Sequence, residues 1–315
     1  MKLKNPAKII KRIIVQNKKI TLHSMKFKDA IKITRPINCL MGALTVVIGL
    51  LNTRSDVAFD KLIINIILGV FTYFFLAAAG NTINDIYDIE IDKINRPERP
   101  IPRGSITLNQ AKILFIIYLS CGIFLSIINT ILFSLNILIF VIVSFFGFIA
   151  WVYAKWGKKS GFLGNIIVGV SFSIGLVYGA VLNSSIIPPY IFYFFITAFS
   201  LLVAREIIKG CEDIEGDKNQ GVKTLAIKIG IKNSRNIAVF FSLAAMIFFV
   251  LPILTNVLNP ILFLIFMVLG LIEVAYVIVL MLTSKLEKGD LKKISLLLKI
   301  GMLLGLIAFL FASIG

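Results

Sequence analysis

Histidine and cysteine are nearly absent from this chain. Its 315 residues include one histidine, His23, and three widely spaced cysteines without any CxxC arrangement. A single histidine near the start excludes Ser-His-Asp triads, histidine-ligated metals and a histidine general base. The cysteines indicate neither a disulfide framework nor a zinc site.

Acidic residues are also scarce, since 33 Lys and Arg stand against 16 Asp and Glu, which gives a net charge of +17. Such a charge is compatible with nucleic-acid binding. The basic residues, however, are concentrated on one side of the apolar runs and form no groove-reading motif. The sequence therefore favours a protein face that meets anionic lipids and anionic substrates, and no nucleic-acid partner is expected.

Long apolar runs dominate what is present. Hydrophobic residues make up 58% of the chain and the mean hydropathy is +0.94, values typical of an integral membrane protein. Runs long enough to cross a bilayer as helices are found at 36–52, 61–80, 111–128, 132–152, 161–182, 188–208, 234–255, 260–283 and 294–314. We therefore predict an all-α, multi-pass membrane protein with nine transmembrane helices.

Basic residues are concentrated in every second loop, and this distribution predicts the orientation of the protein in the membrane. They crowd the N-terminus and every second loop, at Arg96, Arg99 and Arg103; Lys155, Lys158 and Lys159; Lys209, Lys218, Lys223 and Lys232; and Lys285, Lys288, Lys292 and Lys293. By the positive-inside rule, the N-terminus and these loops are cytoplasmic and the C-terminus is external. Residues 1–24 read as a basic amphipathic extension on the membrane surface.

The least lipid-compatible stretch follows the second apolar run, from Asn81 to Gly104. Asn81, Asp85, Asp88 and Asp92 share one helical stripe if the second helix continues, with Asn84 one turn before Asp88. Carboxylates crowded at a bilayer edge need a cation. Oxygen ligands suit Mg²⁺, which proteins hold through one or two carboxylates together with substrate phosphates.

A second copy of this pattern argues against a merely solvated acidic loop. The hexapeptide at 88–93, DIEIDK, recurs 125 positions later as DIEGDK at 213–218. The apolar segments repeat at the same offset, which indicates duplication of a four-helix unit. We predict one transmembrane domain, 25–315, with repeats at about 34–155 and 159–283 and a ninth helix at 294–314. Both acidic clusters would face a central cavity and hold a diphosphate between metal ions.

Several polar residues near these clusters are candidates for binding an anionic substrate. The loop after Asp92 is stiffened by prolines and offers three guanidinium groups that can grip phosphate oxygens in pairs. Asn38 lies in the first span, where an amide needs a partner. The predicted substrate-binding set is Arg35, Asn38, Asn81, Arg96, Arg99, Arg103, Tyr153, Lys158, Lys159, Glu206, Lys209 and Lys223.

At these residues the sequence resembles a known family. The run N-D-x-x-D-x-x-x-D, Asn84 to Asp92, is similar to the first signature of the UbiA superfamily of intramembrane prenyltransferases, and Asp213-x-x-x-Asp217 is similar to the second. The resemblance extends over the chain from Met25. A third signature, Tyr with Lys at i+4, is met only loosely by Tyr153, and both Lys155 and Lys158 remain open as the partner. Residues 88–104 are most similar to the archaeal ether-lipid branch of the superfamily.

The resemblance implies Mg²⁺-dependent transfer of a geranylgeranyl group from geranylgeranyl diphosphate to the hydroxyl of geranylgeranylglyceryl phosphate. It assigns catalysis to Asp88, Asp92 and Asp213, and metal binding to Asn84, Asp85, Asp88, Asp92, Asp213 and Asp217. The partners are then an isoprenyl diphosphate, a lipid alcohol and membrane lipids, with no protein partner implied.

Three alternatives remain open at this point. Chlorophyll synthases share a run similar to 88–104, so an aromatic or chlorin acceptor is the main alternative. A CDP-alcohol phosphotransferase also uses intramembrane acidic motifs and Mg²⁺, but its DG-x-x-AR opening is absent here. An ion-coupled transporter would place its acids near the bilayer midplane, whereas these acids lie at the ends of spans.

Overall fold

The computed structural model describes residues 26–55, 57–132, 137–155, 161–184, 186–219 and 223–314. The predicted extension 1–24 lies outside the described residues. Lys158 and Lys159, in the loop at 156–160, also lie outside them. The helices are α1 Phe27–Ile33, α2 Pro36–Leu51, α3 Phe59–Tyr87, α4 Ile89–Asn95, α5 Leu108–Leu132, α6 Ile137–Lys155, α7 Phe162–Asn183, α8 Pro189–Glu212, α9 Ile214–Asn219, α10 Leu225–Val250, α11 Pro260–Thr283 and α12 Lys288–Phe311.

The long helices confirm the predicted all-α membrane fold. Over the described ranges, eight helices are long and apolar enough to cross a membrane, and the count is nine when α1 and α2 are taken as one bent span. These two helices meet at an angle of 56°. The outward faces carry large apolar side chains exposed on the protein surface, such as Ile116, Phe124, Phe240 and Ile272, as a lipid environment requires.

The helices pack in two similar sets. In the first set α3 packs against α2, α5 and α6, and in the second α8 packs against α7 and α10. The long second helix of each set ends at an equivalent position, since α3 ends at Tyr87 and α8 ends at Glu212, 125 residues later. Each is followed by one short helix, α4 or α9. The final helix, α12, packs against α11, α8 and α2.

Glycines set the closest approach between the two sets, where α2 crosses α7. A β-carbon on Gly49 would lie 2.2 Å from the carbonyl oxygen of Leu176, and one on Gly179 would lie 2.1 Å from the carbonyl oxygen of Val46. Only glycine fits at either position. Small residues of this kind let transmembrane backbones touch directly. The two sets are therefore joined by backbone contact near the C-terminal ends of α2 and α7.

Candidate active site

A cavity of about 540 Å³ opens between the helices of the two sets. We call the end of the bundle where α3 and α8 terminate the charged end. There the cavity wall is polar, whereas deeper in the bundle it is apolar. The predicted site residues that line it are Arg35, Asn38, Asn81, Asn84, Asp88, Asp92, Arg96, Arg99, Tyr153, Glu206, Lys209, Asp213 and Asp217.

The first acidic cluster is shaped by a helix break at Asp88. Here α3 ends, and Asp88 adopts φ −95° and ψ 7° before α4 begins. The continuous stripe predicted from the sequence is therefore interrupted, because the break turns the chain away from the axis of α3. Asn84, Asp88 and Asp92 line the cavity, whereas Asp85 does not.

The second cluster is built in the same way. Asp213 ends α8 with φ −91° and ψ 7°, and Asp217 follows on α9. The two short helices α4 and α9 touch, since a β-carbon on Gly216 would lie 2.2 Å from the side-chain oxygen of Asn95. Asn95 also donates from Nδ2 to the carbonyl oxygen of Asp213, at 3.4 Å. This contact holds both clusters at one mouth of the cavity.

Asp85 holds two arginines instead of facing the cavity. Its side chain is only 2% exposed and accepts from Arg35 and, at 3.2 Å, from Nη1 of Arg99. Arg99 pairs in addition with Asp92. Burial raises the pKa of Asp92 above its ordinary value, an effect that the guanidinium of Arg99 opposes. Asp85 thus fixes two cations beside the first cluster.

The bend between α1 and α2 positions Arg35. Its backbone adopts φ 53° and ψ 64°, a left-handed conformation that costs a non-glycine residue about 1–3 kcal/mol. Pro36 follows and disfavours the α conformation for the residue before it. Asn81 supports the bend by donating to the carbonyl oxygen of Thr34 at 2.8 Å. The strain is concentrated at a residue whose side chain lines the cavity.

Arg96 links the two halves. Its Nη2 lies 3.0 Å from Oδ1 of Asp213 and 3.5 Å from Oε1 of Glu212. A residue from the loop after the first cluster thereby contacts the second cluster directly. Three of the arginines, Arg35, Arg96 and Arg99, place their positive charges among the carboxylates at the charged end.

Two other predicted binding residues lie outside the cavity lining, whereas Tyr153 lies on it. Arg103 is outside the cavity lining and pairs with Asp29 on α1. Lys223 is exposed and also outside the lining. Tyr153 lines the cavity from the end of α6, while Lys155, one of its two possible partners, lies over the ring of Trp151 at 5.0 Å.

Two cationic residues on the cavity wall were missed by the sequence interpretation. Arg205 lies on α8 and donates from Nη1 to Glu206 at 2.8 Å. Lys299 lies in the middle of α12 and donates from Nζ to Oδ1 of Asn38 at 3.0 Å. A signal was available, because a lone charge inside an apolar span marks a functional position by default.

The donor set at the charged end fits a hard divalent cation. It consists of carboxylate and amide oxygens, the ligands that Mg²⁺ prefers. In the described ranges no group of three His, Cys, Asp or Glu side chains is close enough to form a complete metal cage. An ion here would thus take only one or two carboxylates from each cluster and complete its coordination with phosphate oxygens or water.

Comparison with known proteins places the chain in a family. The model of the UbiA prenyltransferase family matches residues 41–311. The chain belongs to the UbiA prenyltransferase family. It is accordingly a prenyltransferase, and the resemblance found at the acidic motifs is confirmed.

Curated UbiA relatives carry a more specific name. A protein of Methanocaldococcus jannaschii named digeranylgeranylglyceryl phosphate synthase is 35% identical over 289 residues, which cover 92% of this chain and 97% of that protein. Proteins with the same name from Korarchaeum cryptofilum and Thermococcus sibiricus are 32% and 40% identical, covering 89% and 73% of this chain and 95% and 78% of those proteins.

Solved structures share the UbiA fold. One, from a study of digeranylgeranylglyceryl phosphate synthase in membranes, has a TM-score of 0.70 and 34% identity, with 91% of this chain and 98% of that chain covered. A UbiA homologue from Archaeoglobus fulgidus bound to GPP and Mg²⁺ has a TM-score of 0.66 at 17% identity, with coverage of 89% and 99%. The second comparison supports the fold alone.

Proposed function

We propose that this prenyltransferase transfers a geranylgeranyl group from geranylgeranyl diphosphate to the free hydroxyl of geranylgeranylglyceryl phosphate, and so makes an archaeal ether lipid. The observation that carries the proposal is the shared cavity, in which two acidic clusters and three arginines stand at one end of an apolar passage. The named archaeal relatives, 32–40% identical over most of the chain, support the choice of acceptor.

The charged end is suited to the diphosphate of the donor. Asn84, Asp88 and Asp92 from one repeat, and Asp213 and Asp217 from the other, would hold Mg²⁺ ions that neutralise the diphosphate as it leaves. Arg96 and Arg99 stand beside these carboxylates and can bind phosphate oxygens in a paired, charge-assisted manner. Charge on the departing group is thereby stabilised from both repeats.

The apolar part of the cavity suits an isoprenoid chain. It is lined by Leu76, Ala77, Ile142, Val143, Phe146 and Ile174. On α6, Ile142 precedes Tyr153 by eleven residues, or about 16 Å along the helix at 1.5 Å per residue. A chain entering here leaves its diphosphate at the charged end and its tail within the membrane.

The reaction exchanges one C–O bond for another. The bond between C1 of the donor and the diphosphate oxygen breaks with the electron pair leaving on oxygen, and the allylic carbon becomes electrophilic. The acceptor hydroxyl oxygen attacks C1 and forms the ether bond. Its proton passes to an Asp carboxylate of the clusters or to the released diphosphate, because His23, the only histidine, lies in the N-terminal extension.

The test is an acceptor panel. Purified protein receives Mg²⁺, labelled geranylgeranyl diphosphate and one of four acceptors: geranylgeranylglyceryl phosphate, its dephosphorylated alcohol, 4-hydroxybenzoate or a chlorin. We expect an ether product from the phosphorylated lipid, with turnover abolished by a chelator and restored by Mg²⁺. Equal or better use of 4-hydroxybenzoate or the chlorin would reject the acceptor assignment and leave the family membership intact.

A further inference from the structure

A group of cations lies deeper in the cavity than the acidic clusters. It consists of Arg205 and Lys209 on α8 and Lys299 on α12, all on the cavity wall. Arg205 precedes Asp213 by eight residues, about 12 Å along the helix at 1.5 Å per residue. Arg205 is therefore separate from the carboxylates that suit the metal ions and the donor's diphosphate, whereas Lys209 lies one turn before Asp213.

Carboxylates neutralise only part of this group. Glu206 accepts from Arg205 at 2.8 Å and from Lys209 at 3.3 Å, so one negative charge is shared by two cations. Lys299 has no carboxylate partner in the described part of the chain. Its hydrogen bond goes to the neutral amide of Asn38. The local balance is thus positive by about two charges.

Two side chains in this group are suited to bind an anion. The Nε of Arg205 is buried without a hydrogen-bond acceptor among the described residues. Lys299 also lies close enough to Arg205 for the two positive charges to repel each other. A charged side chain in the middle of a membrane-spanning helix is costly unless it meets a counter-charge. An anion with several oxygens would satisfy both side chains together.

Resting on the proposed function, we propose that Lys299 and Arg205 bind the phosphate of the acceptor lipid. A phosphate monoester carries about −1.5 to −2 charges at neutral pH, which matches the positive excess of the group. In geranylgeranylglyceryl phosphate the free hydroxyl and the phosphate are on adjacent carbon atoms of glycerol. Binding the phosphate here would therefore fix the hydroxyl near C1 of the donor, between this group and the metal clusters.

The donor's diphosphate is a poorer occupant of this position. The carboxylates and Arg96 that suit it are at the charged end. Placing it at Lys299 would move C1 of the donor away from the carboxylates that assist ionisation. The assignment makes Lys299 a specificity-determining residue for the acceptor.

Steady-state kinetics of Lys299→Met and Lys299→Arg test the assignment. We expect Lys299→Met to raise the KM for geranylgeranylglyceryl phosphate at least tenfold, and to change the KM for geranylgeranyl diphosphate less than twofold. With the dephosphorylated alcohol as acceptor, wild type and variant should be alike. Lys299→Arg should stay within about threefold of wild type. Lys293→Met, on the exposed face of the same helix, is the matched control and should change neither KM.

A binding experiment without donor separates this proposal from the proposed function. Thermal unfolding is followed with a short-chain glycerol ether phosphate and with the corresponding alcohol. The phosphate should stabilise wild type and Lys299→Arg but not Lys299→Met. If that difference holds while the acceptor panel selects an aromatic compound, the anion site stands and the proposed function fails. No preference of wild type for the phosphate, or an equal rise in both KM values of Lys299→Met, would overturn the site.

Discussion

Arg96 and Asp213 form an ion pair between the two repeats, with Nη2 and Oδ1 3.0 Å apart. In this pair, Arg96 binds the carboxylate of Asp213, which the proposed function assigns to a metal ion. Arg96 must therefore exchange Asp213 for phosphate oxygens when donor and metal bind. This exchange gives the first prediction.

Arg96→Ala should have opposite effects on the two ligands. Without donor, Mg²⁺ affinity should rise about two- to fivefold, since a partly exposed ion pair worth ~0.5–1 kcal/mol no longer competes for Asp213. Affinity for geranylgeranyl diphosphate should fall at least tenfold, because a charge-assisted contact contributes roughly 1.5–3 kcal/mol. Calorimetric titration measures both, and Arg96→Lys serves as the control that keeps the charge. Weaker Mg²⁺ binding by Arg96→Ala would contradict the exchange.

Asp88→Ala and Asp213→Ala should each abolish Mg²⁺-dependent turnover without unfolding the protein. Each variant removes one cluster's carboxylate from the mouth of the cavity. The matched controls are Glu90→Ala and Glu215→Ala, which remove exposed carboxylates from the same short helices and should keep near wild-type rates. If either aspartate variant retained more than about a tenth of the rate, a loss under ~1.4 kcal/mol, the two-cluster mechanism would be wrong.

Asp85→Ala should act on stability more than Asp88→Ala does. Asp85 is buried and holds Arg35 and Arg99, and removing one partner of a buried ion pair costs about 3–5 kcal/mol. We expect a clearly lower unfolding temperature in detergent, and a smaller change for Asp88→Ala. Equal unfolding temperatures for the two variants would show that Asp85 does not anchor the arginines.

Glu273→Met should stabilise the protein. Both carboxyl oxygens of Glu273 are buried without a partner among the described residues, and one would lie 2.2 Å from a β-carbon on Gly301. Removing an unsatisfied buried carboxyl should raise the free energy of unfolding by about 1–3 kcal/mol. Ile272→Met, on the exposed face of the same helix, should be neutral in thermal unfolding. Destabilisation by Glu273→Met would reveal a partner in the membrane.

Reporter fusions test the orientation. A reporter placed after Gly104 should be cytoplasmic and one at Gly315 external, because the basic residues lie on one side of an odd number of spans. Both reporters on the same side of the membrane would mean that the spans between these two points, the seven long helices from α5 to α12, have been miscounted.

The sequence was sufficient for the membrane fold and for the acidic clusters. Apolar length predicts spans directly, and the copy of 88–93 at 213–218 drew attention to residues that a single acidic run would not have distinguished. It could not be predicted in this way that Asp85 pairs with two arginines whereas Asp88 lines the cavity. The helix breaks at Asp88 without a glycine or proline to mark the position, so the local signal for the change of direction is missing.

Lys299 shows a different limit of sequence interpretation. It lies within the span predicted at 294–314, where its charge was a visible exception. Its role depends on Asn38 and Arg205, which are far away in sequence and meet it only when α12 packs against α2 and α8. Contacts between distant spans are decided by packing, which periodicity does not encode.

The backbone contacts at Gly49 and Gly179 have a consequence for how substrates reach the cavity. Secondary transporters built from repeats within the membrane often work by alternating access, in which one repeat rocks against the other. Here the carbonyl groups of Leu176 and Val46 approach glycines of the facing helix directly, so no side chain separates the two helices at these positions and a rocking motion would have to break backbone contacts. We therefore expect a static frame, with lipid substrates entering and leaving sideways between helices while the halves keep their relative position.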